Sequence, residues 1–247
     1  MLRRLATKFL HRPKDPEIGS PSRPVGQMKL LLQDLRHRGL ACNSILDIGA
    51  NRGDWSRMAA TVFPDACFIL IEALQEMGPC LKSFCEEHPG SNYVIAGAGA
   101  RPGSLAITIW DDLFGSSFLP REDAALLASG KQRLVPITTI DAVCSKPDLV
   151  KIDIQGFELE ALNGASNTFG YTEAFILEVS LFNFFHGETG NPIFHEVVAF
   201  MKDRDYVVYD FAGFLRRPLD GALGQCDICF VKESSFLRAS NRWECLS

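Results

Sequence analysis

Asp47, Glu72, Asp153, Glu178 and His186 are the residues whose types and settings could do chemistry in this chain. The first two pose a binding problem and the last three a proton-transfer problem. Asp47 sits inside Ile45-Leu-Asp-Ile-Gly-Ala-Asn-Arg-Gly-Asp54, an apolar strand that runs into a glycine-bearing turn and then a helix. Glycines there permit a tight turn and a close backbone approach to a ligand. The dinucleotide fingerprint G-x-G-x-x-G gathers three glycines around a pyrophosphate, whereas Gly49 and Gly53 stand four apart with Ala50 and Asn51 between them. A pyrophosphate cradle is therefore poorly supported.

A carboxylate at Asp47, just before the turn, repels phosphates and suits a cationic group. Glu72 closes the run Phe68-Ile-Leu-Ile-Glu72, about twenty residues after the turn, where an acid can accept hydrogen bonds from both hydroxyls of a ribose. A ribose together with a cationic amino acid describes S-adenosylmethionine, which carries an ammonium and a sulfonium. On that reading the donor contacts Asp47, Gly49, Ala50, Asn51, Gly53, Glu72 and Ala73, with Asp153 nearby. Gly97 and Ala98, after the third strand, flank its adenine, and Ser116 and Ser117 line its edge. Two other readings keep the same fold. One is an NAD-dependent oxidoreductase, against which the missing third glycine argues; the other is a module that binds the nucleoside without turnover.

Asp153 closes Leu149-Val-Lys-Ile-Asp153, Glu178 closes Ala174-Phe-Ile-Leu-Glu178, and His186 lies in the aromatic loop Leu181-Phe-Asn-Phe-Phe-His-Gly187. An aliphatic hydroxyl is a weak acid and a weak nucleophile, so its alkylation gains from a positioned base or from a cation that acidifies it. These three are the candidate catalytic residues. Adjacent strands would bring the two carboxylates together, raising the pKa of one or sharing a divalent cation. Such a cation is an alternative, and the sequence assigns it no dedicated ligands. The bland counterpart is a strand-end acid that accepts a turn hydrogen bond, or a surface histidine. Lys151, inside its strand, is expected to pair with a neighbouring acid. Glu158 and Glu160 are expected to favour the dipole of a helix's first turn. Phe182, Phe184 and Phe185 are expected to form a core lid.

Positioning these groups requires parallel strands that end at one edge. Short apolar runs alternate with helix-like stretches at Ser44 to Ile48, Cys67 to Ile71, Tyr93 to Ala96, Leu149 to Ile154, Ala174 to Val179 and Tyr206 to Asp210. Near-continuous apolar strands alternating with helices imply a parallel sheet covered on both faces. The expected fold is α/β, a Rossmann-like doubly wound sheet of seven strands, mostly parallel. Its last strand, Asp227 to Val231, is antiparallel, because too little chain separates it from Tyr206 to Asp210 for a parallel return. Extended pieces at Ser104 to Trp110 and Val135 to Ile140, around a polar loop from Gly115 to Gly130, predict a rim insertion over about residues 100–140. Residues 1–40 divide into a leader, a proline-rich linker and a helix over Val25 to Arg38 that stops at Gly39. Residues 41–247 form the main domain.

Composition narrows the partners. With 47% hydrophobic and 22% charged residues the chain has the makings of a globular core. Its net charge of -5 gives no general attraction to nucleic acid or to an anionic membrane. No apolar run reaches bilayer-spanning length. Eight scattered cysteines without a compact spacing read as reduced thiols, and the expected location is cytoplasmic. Cys226 and Cys229 resemble a CxxC pair, but residues three apart on a strand face opposite ways. The basic stretch Met1 to Arg12 is expected to be a solvated leader, with a membrane-surface contact as the alternative.

Several of these segments together resemble FkbM-type methyltransferases. They are ILDIGANRGDWS (Ile45–Ser56), FILIEA (Phe68–Ala73), VPITTIDAV (Val135–Val143), DLVKIDIQGFELEALNGA (Asp148–Ala165), FILEVSLFNFFHG (Phe175–Gly187) and QCDICFVK (Gln225–Lys232). The resemblance spans Ser44 to Lys232. It implies an O-methyltransferase that uses S-adenosylmethionine on a hydroxyl of a sugar, a glycan or a small-molecule natural product. Two departures stand out: Ile71-Glu72-Ala73 replaces the family's usual Phe-Glu-Pro, and Gly97-Ala-Gly-Ala100 replaces a more polar turn. Acceptor choice would reside in the rim loops Gly115 to Gly130 and Asn183 to Asn191.

Overall fold

The computed structural model describes residues 18–119, 121–185 and 190–243. His186 and the basic stretch Met1 to Arg12 lie outside the described residues. The main sheet contains β1 (Ser44–Ile48), β2 (Cys67–Glu72), β3 (Asn92–Ile95), β7 (Leu149–Ile152), β8 (Ala174–Ser180), β9 (Tyr206–Arg216) and β10 (Leu223–Lys232). They lie in the order β3-β2-β1-β7-β8-β10-β9, parallel except for β10, which runs against both neighbours. This is the α/β methyltransferase-like sheet, doubly wound, with its antiparallel strand last in sequence.

Alternation along each strand builds two cores. Ile45, Phe68, Leu149, Ile176 and Cys229 face α1 (Met28–His37), α2 (Asp54–Ala60) and α3 (Gly78–Glu87). Leu46, Val150, Phe175, Leu177 and Cys226 face α5 (Ile140–Val143), α6 (Glu158–Asn163) and α7 (Phe194–Lys202). Cys226 and Cys229 thus belong to different cores, as a strand's two-residue period demands. The helix expected over Val25 to Arg38 is α1, which starts three residues later; Leu31, Leu32 and Leu35 on its inner face are fully buried. Gly39 follows it at φ 106°, a backbone open to glycine at little cost.

The rim insertion is a second sheet, β4 (Gly97–Ala98), β5 (Gly103–Thr108) and β6 (Gln132–Thr138), in the order β4-β6-β5. The polar loop within it holds a short helix that its composition did not announce, α4 (Ala124–Ala128). Asp123 Oδ1 caps it by accepting from Ala125 N and Leu126 N, at 2.8 and 2.9 Å. The β9–β10 hairpin also runs longer than expected, to Arg216 and from Leu223. Gly213 and Gly224 read locally as turn, yet the cross-strand ladder, with bulges that absorb the irregularity, keeps them extended and leaves Pro218 and Gly221 in the turn between the strands. No described helix is long and apolar enough to cross a membrane.

Candidate active site

At the carboxyl edge of the sheet, β1 feeds a turn held by three left-handed residues, Gly49 (φ 78°), Asn51 (φ 48°) and Gly53 (φ 80°). Gly49 N and Ala50 N both donate to Ile71 O, at 2.9 and 3.1 Å, which binds the turn to the end of β2. A Cβ on Gly49 would lie 1.9 Å from the Asp153 carbonyl oxygen, so the turn and the end of β7 approach as closely as backbones can. Asn51 N donates to Glu72 Oε2 (2.8 Å) and Leu74 N to Glu72 Oε1 (2.7 Å). Glu72 is thus oriented through both oxygens, and burial pushes its pKa up against those two amides.

A cavity opens above this turn, lined by Gly49, Asn51, Glu72, Ala73, Gly97, Ala98, Ser116 and Asp153 among the expected donor contacts. Asp47, Ala50, Gly53 and Ser117 lie outside its wall. Asp47 is fully buried beneath it: Oδ2 accepts from Ser56 Oγ at 2.6 Å, and Oδ1 lies 3.8 Å from Lys151 Nζ. Ser117 Oγ donates to the Gln155 carbonyl (2.7 Å), tying the insertion to the end of β7. The cavity wall carries two carboxylates and no lysine or arginine among the described residues. Such a wall repels a pyrophosphate and attracts a cationic sulfonium and ammonium, and Ala96, Gly97 and Ala98 present only small side chains to it. These residues fit a methyl donor.

The second half of the site is a row of acids along one sheet face. Asp153 leaves β7, Glu178 lies on β8, and register places Asp227 of β10 opposite Glu178. Gln155, a non-glycine residue at φ 55°, turns its amide to donate to Asp153 Oδ1 and Glu178 Oε2, both at 2.9 Å. Gln225 Nε2 also donates to Glu178 Oε2 at 2.9 Å. Lys151 Nζ lies 3.1 Å from Asp153 Oδ2. Burial would raise Asp153, but the Lys151 charge and these hydrogen bonds outweigh it, and its pKa lies below the ordinary carboxylate value. Glu178 goes the other way, pushed up to about 9 by burial and then by the charges of Asp153, Glu158 and Asp227. Asp227 is raised to about 6, by burial first and Asp153 second. At neutral pH the row therefore holds a neutral Glu178 between two ionised neighbours, so Glu178 can donate a hydrogen bond while Asp153 and Asp227 can accept a proton.

Glu158 Oε1 accepts from Ile154 N (3.2 Å) and Gly156 N (3.0 Å), closing the turn after β7, while Glu160 is exposed. Gln155, Gln225 and Asp227 were not among the candidates from sequence. Asp227 did leave a signal, an acid inside an otherwise apolar strand. Only strand register joins it to Glu178.

The family model for the methyltransferase FkbM domain matches residues 47–208 of the chain. No curated protein matches it. Among solved structures it is similar to magnesium protoporphyrin IX methyltransferase from Synechocystis PCC 6803 with bound S-adenosylhomocysteine. The two are 12% identical, with 82% of this chain and 80% of that chain covered, at a TM-score of 0.48. It is also similar to a precorrin-6y C5,15-methyltransferase from Geobacter metallireducens GS-15, at 14% identity, 82% and 86% coverage and a TM-score of 0.44. An O-methyltransferase family protein from Burkholderia thailandensis matches at 9% identity, 85% and 56% coverage and a TM-score of 0.46.

Proposed function

Because the chain belongs to the FkbM methyltransferase family, we propose that it is the O-methylating kind, acting on a hydroxyl of a sugar, a glycan or a small-molecule natural product. The chain is an S-adenosylmethionine-dependent methyltransferase. The observation that carries the proposed acceptor is the acid row beside the cavity. A hydroxyl must lose a proton as it is alkylated, and carboxylates held in different protonation states are suited to receive it.

The bound donor supplies an electrophilic methyl group on sulfur, and the remaining demands fall on the chain. Glu72 holds the ribose, and the slot from Ala96 to Ala98 takes the adenine. Asp153, kept ionised by Lys151, takes the acceptor's proton at a carboxylate oxygen, while the neutral Glu178, tied to it through the Gln155 amide, holds that carboxylate in place. His186, which follows β8 in sequence, is the alternative base. In-line displacement needs the acceptor oxygen aligned and water excluded, which is the work of the surrounding walls. A second cavity of about 890 Å³ shares Phe118 with the first, and residues from both loops expected to choose the acceptor line it, among them Leu119, Arg121, Asn183 and Asn191. We assign the acceptor to this cavity, with its reacting hydroxyl extended past Phe118 to Asp153 on the wall of the first. The unpaired cysteines among the described residues support a cytoplasmic setting.

The test is a radiolabelled methyl-transfer screen across glycan and small-molecule fractions. Label released by ether-cleaving chemistry, and lost from the products of Asp153→Asn enzyme, supports the reading. Label confined to nitrogen, or to nucleic acid, overturns it.

A further inference from the structure

Between β5 and β6 the chain leaves the insertion at Thr108, loops out through Trp110 and Leu113, and returns at Ser117. Its feet are pinned. Thr108 N donates to Ser117 O (2.8 Å), Ser117 N donates back to Thr108 O (3.1 Å), and Ser117 Oγ reaches the Gln155 carbonyl. Beyond the exposed acids Asp111 and Asp112, Leu113 and Phe114 line the same cavity wall as Glu72 and Gly97. Leu113 holds φ 65°, a backbone that bulky side chains seldom adopt, so the tip is turned toward the cavity at some local cost. Phe114 is 55% exposed. The guanidinium of Arg52, which belongs to the glycine turn on the opposite side, lies over this ring 5.5 Å from its centroid. A cation–π contact therefore joins the glycine turn to the outer wall of the cavity.

We propose that Arg52 and Phe114 form a clasp that holds the loop from Ile109 to Ser116 against the adenosyl group of the bound donor, so that both side chains retain the cofactor. The inference rests on the methyl-donor reading of the cavity. Phe114 and Leu113 supply apolar surface to a purine and ribose, while Arg52 acts only through Phe114. Cofactor and product share the adenosyl group, so the clasp restrains both and slows their exchange.

Calorimetric titration with S-adenosylhomocysteine, together with its dissociation rate by stopped flow, tests this on the full chain. Phe114→Ala should weaken binding about tenfold and Arg52→Ala about threefold, both through faster dissociation. The double variant should bind no more weakly than Phe114→Ala alone, because Arg52 has nothing left to act on. Phe114→Tyr, which keeps the ring face, should bind like the unaltered protein. Ligand-free melting should be unchanged throughout; if Phe114→Ala melts early, Phe114→Leu takes its place. Phe114→Ala and Arg52→Ala variants that each bind within twofold of the unaltered protein, or that weaken additively when combined, overturn the clasp and leave the donor site standing. An unaltered protein that binds no S-adenosylhomocysteine sinks the donor reading, and the clasp with it.

Discussion

Lys151 places its ammonium 3.1 Å from Asp153 Oδ2 and 3.8 Å from Asp47 Oδ1. Among the described residues no three acids, histidines or cysteines are grouped to hold a metal. Because Lys151 supplies the positive charge these carboxylates face, methyl transfer should proceed at the same rate after dialysis against EDTA, and a loss restored by Mg²⁺ would show that a cation shares the row. Glu178 carries a second prediction. Its pKa rises from an ordinary 4.5 to about 9 on folding, so the folded state keeps a proton that the unfolded chain gives up across that interval. Stability then falls as pH climbs from about 4.5 toward 9, and Glu158 and Asp227, also raised, push the same way. Glu178→Gln should melt higher than the unaltered protein near about pH 8.5, by on the order of 1 kcal/mol once screening is allowed for, and equally once the pH is below about 4. A difference that grows as pH drops would contradict the assignment. At this scale Asp47, Glu72, Asp153 and Glu178 were all legible in the sequence as acids at strand ends. Whether each meets the cavity was not, because Asp47 and Glu72 end neighbouring strands alike and only their side-chain directions separate them.

The turn between β1 and α2 is the element on which the site depends. Gly49 combines a positive φ with a Cβ position 1.9 Å from a carbonyl oxygen, so Gly49→Ala must separate β1 from the end of β7. It should cost about 2–4 kcal/mol in chemical denaturation and abolish calorimetric binding of the donor. Gly78, at the start of α3, has nothing within 4 Å and a helical φ of -47°, so Gly78→Ala should be neutral or stabilise by up to about 1 kcal/mol. Equal effects at the two glycines would mean that the turn carries no special constraint. The strands around this turn were legible because β1, β2, β7 and β8 are buried on both faces and read as continuous apolar runs. The hairpin of β9 and β10 was underestimated and α4 was missed. Their local residues favour turns, and long-range pairing or a single capping aspartate decides the outcome.

In the molecule as a whole, α1 closes one face of the sheet although it comes from the segment divided off with the leader. Leu32 is fully buried there, so Leu32→Ala should cost about 2–5 kcal/mol. Fluorescence and far-ultraviolet dichroism should still report one coincident denaturant transition. A separate early transition for α1 would mean that the two cores do not fold together. The sequence by itself determined the alternation of strands and helices, the antiparallel last strand, the glycine turn with its flanking acids, and through them the family. Those signals are local, carried by runs of side chains within a few residues of one another. Only the tertiary structure decided that Asp227 stands opposite Glu178, that Gln155 bridges Glu178 to Asp153, and that Phe114 reaches Arg52 across the cavity. Each of those pairs is joined by strand register or by the path of an insertion, and neither leaves a period in the sequence for a local pattern to reveal.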